Sequence, residues 1–160
     1  MKKIHISLTV NGKEQELLVH ANQTLAQALR YELGLTGTKQ GCEVGDCGSC
    51  TVLMDGKPVN ACLVLAVQAQ SREITTIEGL SAGGVMHPLQ EAFVENGAIQ
   101  CGFCTPGMIL SAKALLDQNP GPDASQIRSA LSGNLCRCTG YHKIVEAVEN
   151  ASHKMGRSKT

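Results

Sequence analysis

The chain has 160 residues, and its 14 lysines and arginines are balanced by 14 aspartates and glutamates. That neutrality leaves no electrostatic footprint for nucleic acid or an anionic membrane, and two Phe, two Tyr and no Trp offer little for bases to stack on. No apolar run approaches the roughly 20 residues of a membrane span, and the opening Met-Lys-Lys leads into an alternating pattern rather than a signal-peptide core. A cytoplasmic protein of one ordinary domain or two small ones is therefore expected.

Residues 4–10 alternate imperfectly between apolar and polar, and Asn11-Gly12 follows, the strongest short hairpin signal. Residues 14–19 supply the returning strand. Thr24 can cap a helix that carries Leu25, Leu29 and Leu33 on one face and ends at Gly34. Residues 50–54 read as a strand, Asp55-Gly56 as a tight turn, and 57–62 as the partner strand. The stretch 63–68 is ambiguous between strand and helical turn, and 74–77 reads as a last strand. Ser81, Gly83 and Gly84 mark 81–87 as a linker.

Beyond the linker the period becomes helical: 88–96, 106–116, 125–131 and 140–151. Asn119-Pro120-Gly121-Pro122 breaks the middle. Thr105 is expected as N-cap and Pro106 as the first helical residue of the second of these helices. The chain thus divides into a mixed α/β part and an all-α part, and each holds four of its eight cysteines.

Cys42, Cys47, Cys50 and Cys62 have the C-x4-C-x2-C spacing, with a distant fourth Cys, of a plant-type [2Fe–2S] site. Gly41, Gly45 and Gly48 suit a loop that must turn sharply and approach a cluster closely. Structural zinc is the competing reading, although zinc sites favour paired C-x2–4-C units and only one is present here. Cys101, Cys104, Cys136 and Cys138 form C-x2-C followed by C-x-C, which matches no common zinc module. Each pair lies just before a helix, whose positive end favours bound negative charge. A C-x-C pair chelates one metal only with strain but readily reaches the two irons of a binuclear cluster. In a reducing compartment disulfides are not expected.

With these motifs in place, the chain resembles the small iron–sulfur subunit of the molybdenum hydroxylases, the xanthine dehydrogenase, aldehyde oxidoreductase and carbon monoxide dehydrogenase family. The likeness rests on GCEVGDCGSC at 41–50, QCGFCTPGM at 100–108 and GNLCRCTGY at 133–141, with Thr76-Ile77-Glu78-Gly79-Leu80 similar to the family's junction between domains. It implies an α+β fold: a β-grasp, plant-type ferredoxin domain over 1–80, the linker 81–87, a four-helix-bundle domain over 88–151, and a polar tail, 152–160, outside the resemblance. It implies one [2Fe–2S] cluster on Cys42, Cys47, Cys50 and Cys62, nearer a flavin, and a second on Cys101, Cys104, Cys136 and Cys138, nearer molybdenum. Gln100 and Cys138 are the implied molybdopterin contacts. The implied partners are a large molybdopterin-binding subunit and a medium FAD-binding subunit, in a heterotrimer that can dimerise.

No dinucleotide fingerprint and no substrate-converting site is legible, so the expected role is electron relay within an oxidoreductase complex. A free ferredoxin-like carrier and a zinc-stapled interaction module are the alternatives. The five histidines are expected as surface groups, because eight cysteines already make two complete ligand sets.

Overall fold

The computed structural model of the chain describes residues 2–81 and 83–157. Its first half is a five-stranded mixed sheet in the order β2-β1-β5-β3-β4. Strands β1 (Lys3–Val10) and β2 (Lys13–His20) pair antiparallel, Val10 opposite Lys13. Asn11 and Gly12 between them have φ of 52° and 76°, the left-handed pair of a two-residue hairpin turn. The second hairpin, β3 (Thr51–Met54) with β4 (Lys57–Asn60), repeats the device at Asp55 and Gly56, with φ of 50° and 77°. The short β5 (Glu73–Thr75) joins the two hairpins, parallel to β1 and antiparallel to β3.

Alternation along β1 sends Ile6, Leu8 and Val10 into a core shared with Val19, Val52 and Ile74, each burial contributing about 1.5–3 kcal/mol. The helix beneath them starts as expected. Thr24 Oγ1 accepts the Gln27 N–H, and Gln27 Oε1 accepts the Thr24 N–H, a reciprocal cap. Only Leu25–Gln27 (α1) is α-helical, however, and the chain widens into a π-helical turn over Ala28–Glu32. The ambiguous stretch 63–68 resolves as a bridge from Leu65 to Thr24 followed by a 3-10 turn, Ala66–Ala69.

The second half is four helices: α2 (Pro88–Glu95), α3 (Thr105–Gln118), α4 (Ala124–Ala130) and α5 (His142–Arg157). They bury Phe93, Met108, Ile109, Ile127, Ile144 and Val148 in a core of their own. The sheet-then-bundle organisation is the α+β fold expected. Several boundaries differ, three of them instructively. Helix α3 begins at Thr105 with Cys104 as N-cap, and no side chain caps it, so Thr105 is not the cap. Residues 124–130 rather than 125–131 form α4, because Asp123 supplies the cap through the Gln126 N–H. Helix α5 continues past residue 151 to Arg157, so the start of the supposed polar tail is its last turns. Ser152 Oγ donates to the Pro120 carbonyl at 2.8 Å and Met155 packs on the helical core. Residues 158–160 lie outside the described residues.

Helix α3 is buried nearly all round because it serves two cores. Met108, Ile109, Ala112 and Leu116 face the other helices, while Leu110 and Ala114 meet Leu53 of β3. The junction 76–80 is strapped to the sheet by reciprocal hydrogen bonds between Asn11 and Thr76, and by Glu78 Oε1 accepting the Gly37 N–H.

Helix α2 is capped by an imidazole. His87 Nδ1 accepts the Leu89 N–H at 3.2 Å, and Gln90 Oε1 accepts the His87 N–H at 2.8 Å. Burial, helped by the Lys113 ammonium and opposed by Asp117, holds the His87 pKa below its ordinary value of 6.5. A depressed histidine pKa means the neutral form is the one the fold stabilises. That contribution is full above about pH 6.5 and is lost as pH falls through the lower folded value. We expect His87→Asn, which caps without titrating, to flatten this part of the acid-side fall in unfolding midpoint. Identical pH profiles for the two proteins would show that the imidazole cap contributes nothing.

Candidate metal centres

The first cysteine set is assembled by the β3–β4 hairpin and the loop before it. Thr51 pairs with Asn60, which brings the flanking Cys50 and Cys62 together, both buried, with their thiols in contact. Burial pushes the Cys50 thiol up to about 12. Cys42 and Cys47 lie in the loop at the rim, half-buried and also in contact. Cys42 Sγ accepts N–H bonds from Val44 at 3.5 Å and Cys47 at 3.3 Å, and these donors bring its pKa down to about 7. The loop leaves no room at Gly41, where a Cβ would sit 2.9 Å from Cys47 Sγ.

The second set comes from the two bends that precede α3 and α5. Cys101 and Cys138 are exposed, and their sulfurs are 3.6 Å apart. Cys104 and Cys136 lie deeper, with thiols in contact, and burial pushes Cys104 up to about 12. Burial also acts to raise Cys136, but the Thr139 hydroxyl at 3.0 Å and its N–H at 3.4 Å outweigh it and hold the thiol below its ordinary value. Tyr141 completes the turn. Its hydroxyl accepts the Cys136 N–H at 2.8 Å, and its backbone sits at φ 69° directly after Gly140 at 66°. The cysteine spacing assigns Tyr141 no role, although it closes the GNLCRCTGY segment, three residues past the second thiol of C-x-C.

No two cysteines are joined as a disulfide, and they approach in twos: 42 with 47, 50 with 62, 101 with 138, 104 with 136. Among the described residues no three thiol, imidazole or carboxylate groups crowd round one point as a single ion would need. Two thiolates on one tetrahedral metal at about 2.3 Å lie about 3.8 Å apart, close to the separation of Cys101 and Cys138. Each quartet therefore offers two such clasps, one deeper and one nearer the surface, and soft thiolate donors in that arrangement fit a binuclear iron–sulfur cluster.

The two sets are neighbours in space. The Leu135 N–H, one residue before Cys136, donates to the Cys47 carbonyl at 2.9 Å. Phe103, inside the second Cys-x-x-Cys, reaches the first loop, with its ring 3.4 Å from where a Gly41 Cβ would be. Gln100 is exposed beside Cys101.

Comparison with known proteins agrees with this geometry. Residues 8–75 match the family model of a 2Fe-2S iron-sulfur cluster binding domain, and residues 76–149 match that of a [2Fe-2S] binding domain. The nicotinate dehydrogenase small FeS subunit of Eubacterium barkeri is 52% identical, covering 94% of this chain and 96% of its own length. The chain belongs to the family of small iron–sulfur subunits of the molybdenum hydroxylases. Both matched models are of [2Fe–2S]-binding domains, one in each half, so the chain carries two [2Fe–2S] clusters. A chain of quinoline 2-oxidoreductase from Pseudomonas putida 86 superposes with a TM-score of 0.95 at 47% identity, covering all of both chains. The aldehyde oxidoreductase of Desulfovibrio gigas matches at a TM-score of 0.92 and 47% identity over 97% of this chain, but only 17% of that longer polypeptide. Among the described residues no helix is long and apolar enough to cross a membrane.

Proposed function

We propose that this subunit relays single electrons between a molybdopterin-bearing large subunit and an FAD-bearing medium subunit of a cytoplasmic, heterotrimeric hydroxylase. Its two [2Fe–2S] clusters supply one-electron carriage. The protein contributes rigid placement, exclusion of water and hydrogen bonds to sulfur. On this reading Cys42, Cys47, Cys50 and Cys62 hold the first cluster, and Cys101, Cys104, Cys136 and Cys138 hold the second. Within each quartet the contacting thiols share an iron. The domain division falls at 81–87.

Exposure supports the direction of transfer. Cys101 and Cys138 stand at the surface beside Gln100, where a large subunit can bring a pterin within reach of both Gln100 and Cys138. The rim of the other quartet is flanked by Val44 and Leu63, 64% and 60% exposed, an apolar border suited to burial against the flavin subunit. The observation that carries the reading is the pair of four-thiol sets tied backbone to backbone by the bond from Leu135 to Cys47.

Purification of the intact complex followed by a reductive titration tests it. Two one-electron EPR signals of equal intensity are expected, with molybdenum and flavin copurifying. A colourless zinc-bound chain, or a subunit recovered alone from native extracts, would overturn the assignment.

A further inference from the structure

The two cluster loops are joined by more than one bond, and the second connection is a side chain. Asn134 is buried, 5% exposed, in the contact between the helical part and the sheet. Its amide nitrogen donates to the Gly48 carbonyl at 2.9 Å and lies 3.2 Å from Thr51 Oγ1. Its amide oxygen accepts from the Ser111 hydroxyl of α3 at 2.7 Å. Ser111 and Thr51 are buried as well. The Gly48 carbonyl also takes the Thr51 hydroxyl at 2.7 Å and its N–H at 3.1 Å.

The backbones approach closely here. A Cβ on Gly107 of α3 would fall 2.3 Å from the Gly48 oxygen, and one on Gly48 would fall 2.3 Å from the Gly133 oxygen. Gly48 stands between Cys47 and Cys50, and Asn134 stands two residues before Cys136. One amide therefore grips both cysteine loops and α3, directly beside the Leu135 bond to Cys47.

We propose that Asn134 is the positioning residue that sets the spacing and orientation of the two clusters. It touches no thiol and acts through Gly48 and Ser111. A polar group this well satisfied and this deeply buried favours one geometry, because a slip breaks its bonds to Gly48, Thr51 and Ser111 together, beside an open groove lined by Asn60 and Gly133. The proposal rests on the two-cluster reading above.

The test measures the magnetic interaction between the two clusters in the fully reduced full-length subunit within its complex. That splitting falls with the inverse cube of their separation, so it reports spacing independently of turnover. Asn134→Leu keeps the volume and removes the hydrogen bonds. The double variant Ser111→Ala, Asn134→Leu also removes the hydroxyl that would be orphaned, and Thr51 still satisfies the Gly48 carbonyl. In both variants the resolved splitting is expected to collapse into a broad distribution, while the iron content and g-values of each cluster stay unchanged. A lowered unfolding midpoint with the splitting intact would overturn the proposal, because Asn134 would then serve stability alone. Loss of the second cluster from the double variant would overturn it too, assigning Asn134 to cluster assembly. An unsubstituted chain showing no iron–sulfur signals would instead sink the reading beneath it.

Discussion

Replacing Cys138 by alanine is expected to erase the second cluster's EPR signal entirely and to halve the iron and acid-labile sulfide, with the first signal retained in full. Cys138 is exposed and belongs to neither hydrophobic core. Its removal opens no cavity, so packing cannot explain the loss. What disappears is the partner that sits 3.6 Å from Cys101 Sγ, and one iron is left with a single protein sulfur. Cys42→Ala is the mirror experiment and should erase only the first signal. The loaded metal also contributes folding free energy, so each variant should unfold at a lower temperature as well. Loss of both signals in equal measure from either variant would contradict two separate quartets.

Gly107→Ala is expected to destabilise the chain by about 2–3 kcal/mol, the ordinary cost of overpacking a tight contact, and to lower the melting temperature by roughly 5–10 °C. Helix propensity alone points the other way, since alanine is favoured over glycine inside a helix by about 1 kcal/mol. The obstacle is the Gly48 oxygen, 2.3 Å from the new Cβ. It is backbone, already holds three hydrogen bonds, and has nowhere to retreat. Gly156→Ala in α5 is the control of opposite sign. Nothing lies within 4 Å of a Cβ there, so a small gain in stability is expected. If both variants shift the melting temperature alike, the close approach of α3 to the first cysteine loop is not under steric tension.

The parts of the fold that local chemistry determines were legible in the sequence. Asn11-Gly12 and Asp55-Gly56 announce two hairpins because few other dipeptides accept two left-handed residues in succession. The cysteine spacings announce two sites because a binuclear cluster needs four soft donors in a restricted pattern. Helices α3 and α5 show in their periodic apolar residues, Met108, Ile109 and Ala112 in one and Ile144, Val145 and Val148 in the other.

What escaped depends on distant partners. Asn134 sits in a Gly-Asn-Leu turn, where asparagine is ordinarily a turn former, and its function appears only through Gly48, 86 residues away. The last turns of α5 are polar in sequence and are held by the Pro120 carbonyl, 32 residues before Ser152. The π-helical turn Ala28–Glu32 follows a good α-helical start, and no residue there signals the change of pitch. Thr105 has the composition of a cap, yet Cys104 takes that position, because the bend carrying the thiols runs straight into the helix.

The unequal shelter of the sulfurs bears on how the subunit matures. Cys50 and Cys62 are buried in the core beneath the sheet, whereas Cys101 and Cys138 stand side by side at the surface and Cys42 and Cys47 at the rim. A mild oxidant can close the outer dithiol of either set, Cys42 with Cys47 or Cys101 with Cys138, and it leaves the buried Cys50 and Cys62 reduced. A nascent chain in air would then need a thiol reductant to reopen both clasps before either quartet offered four thiols.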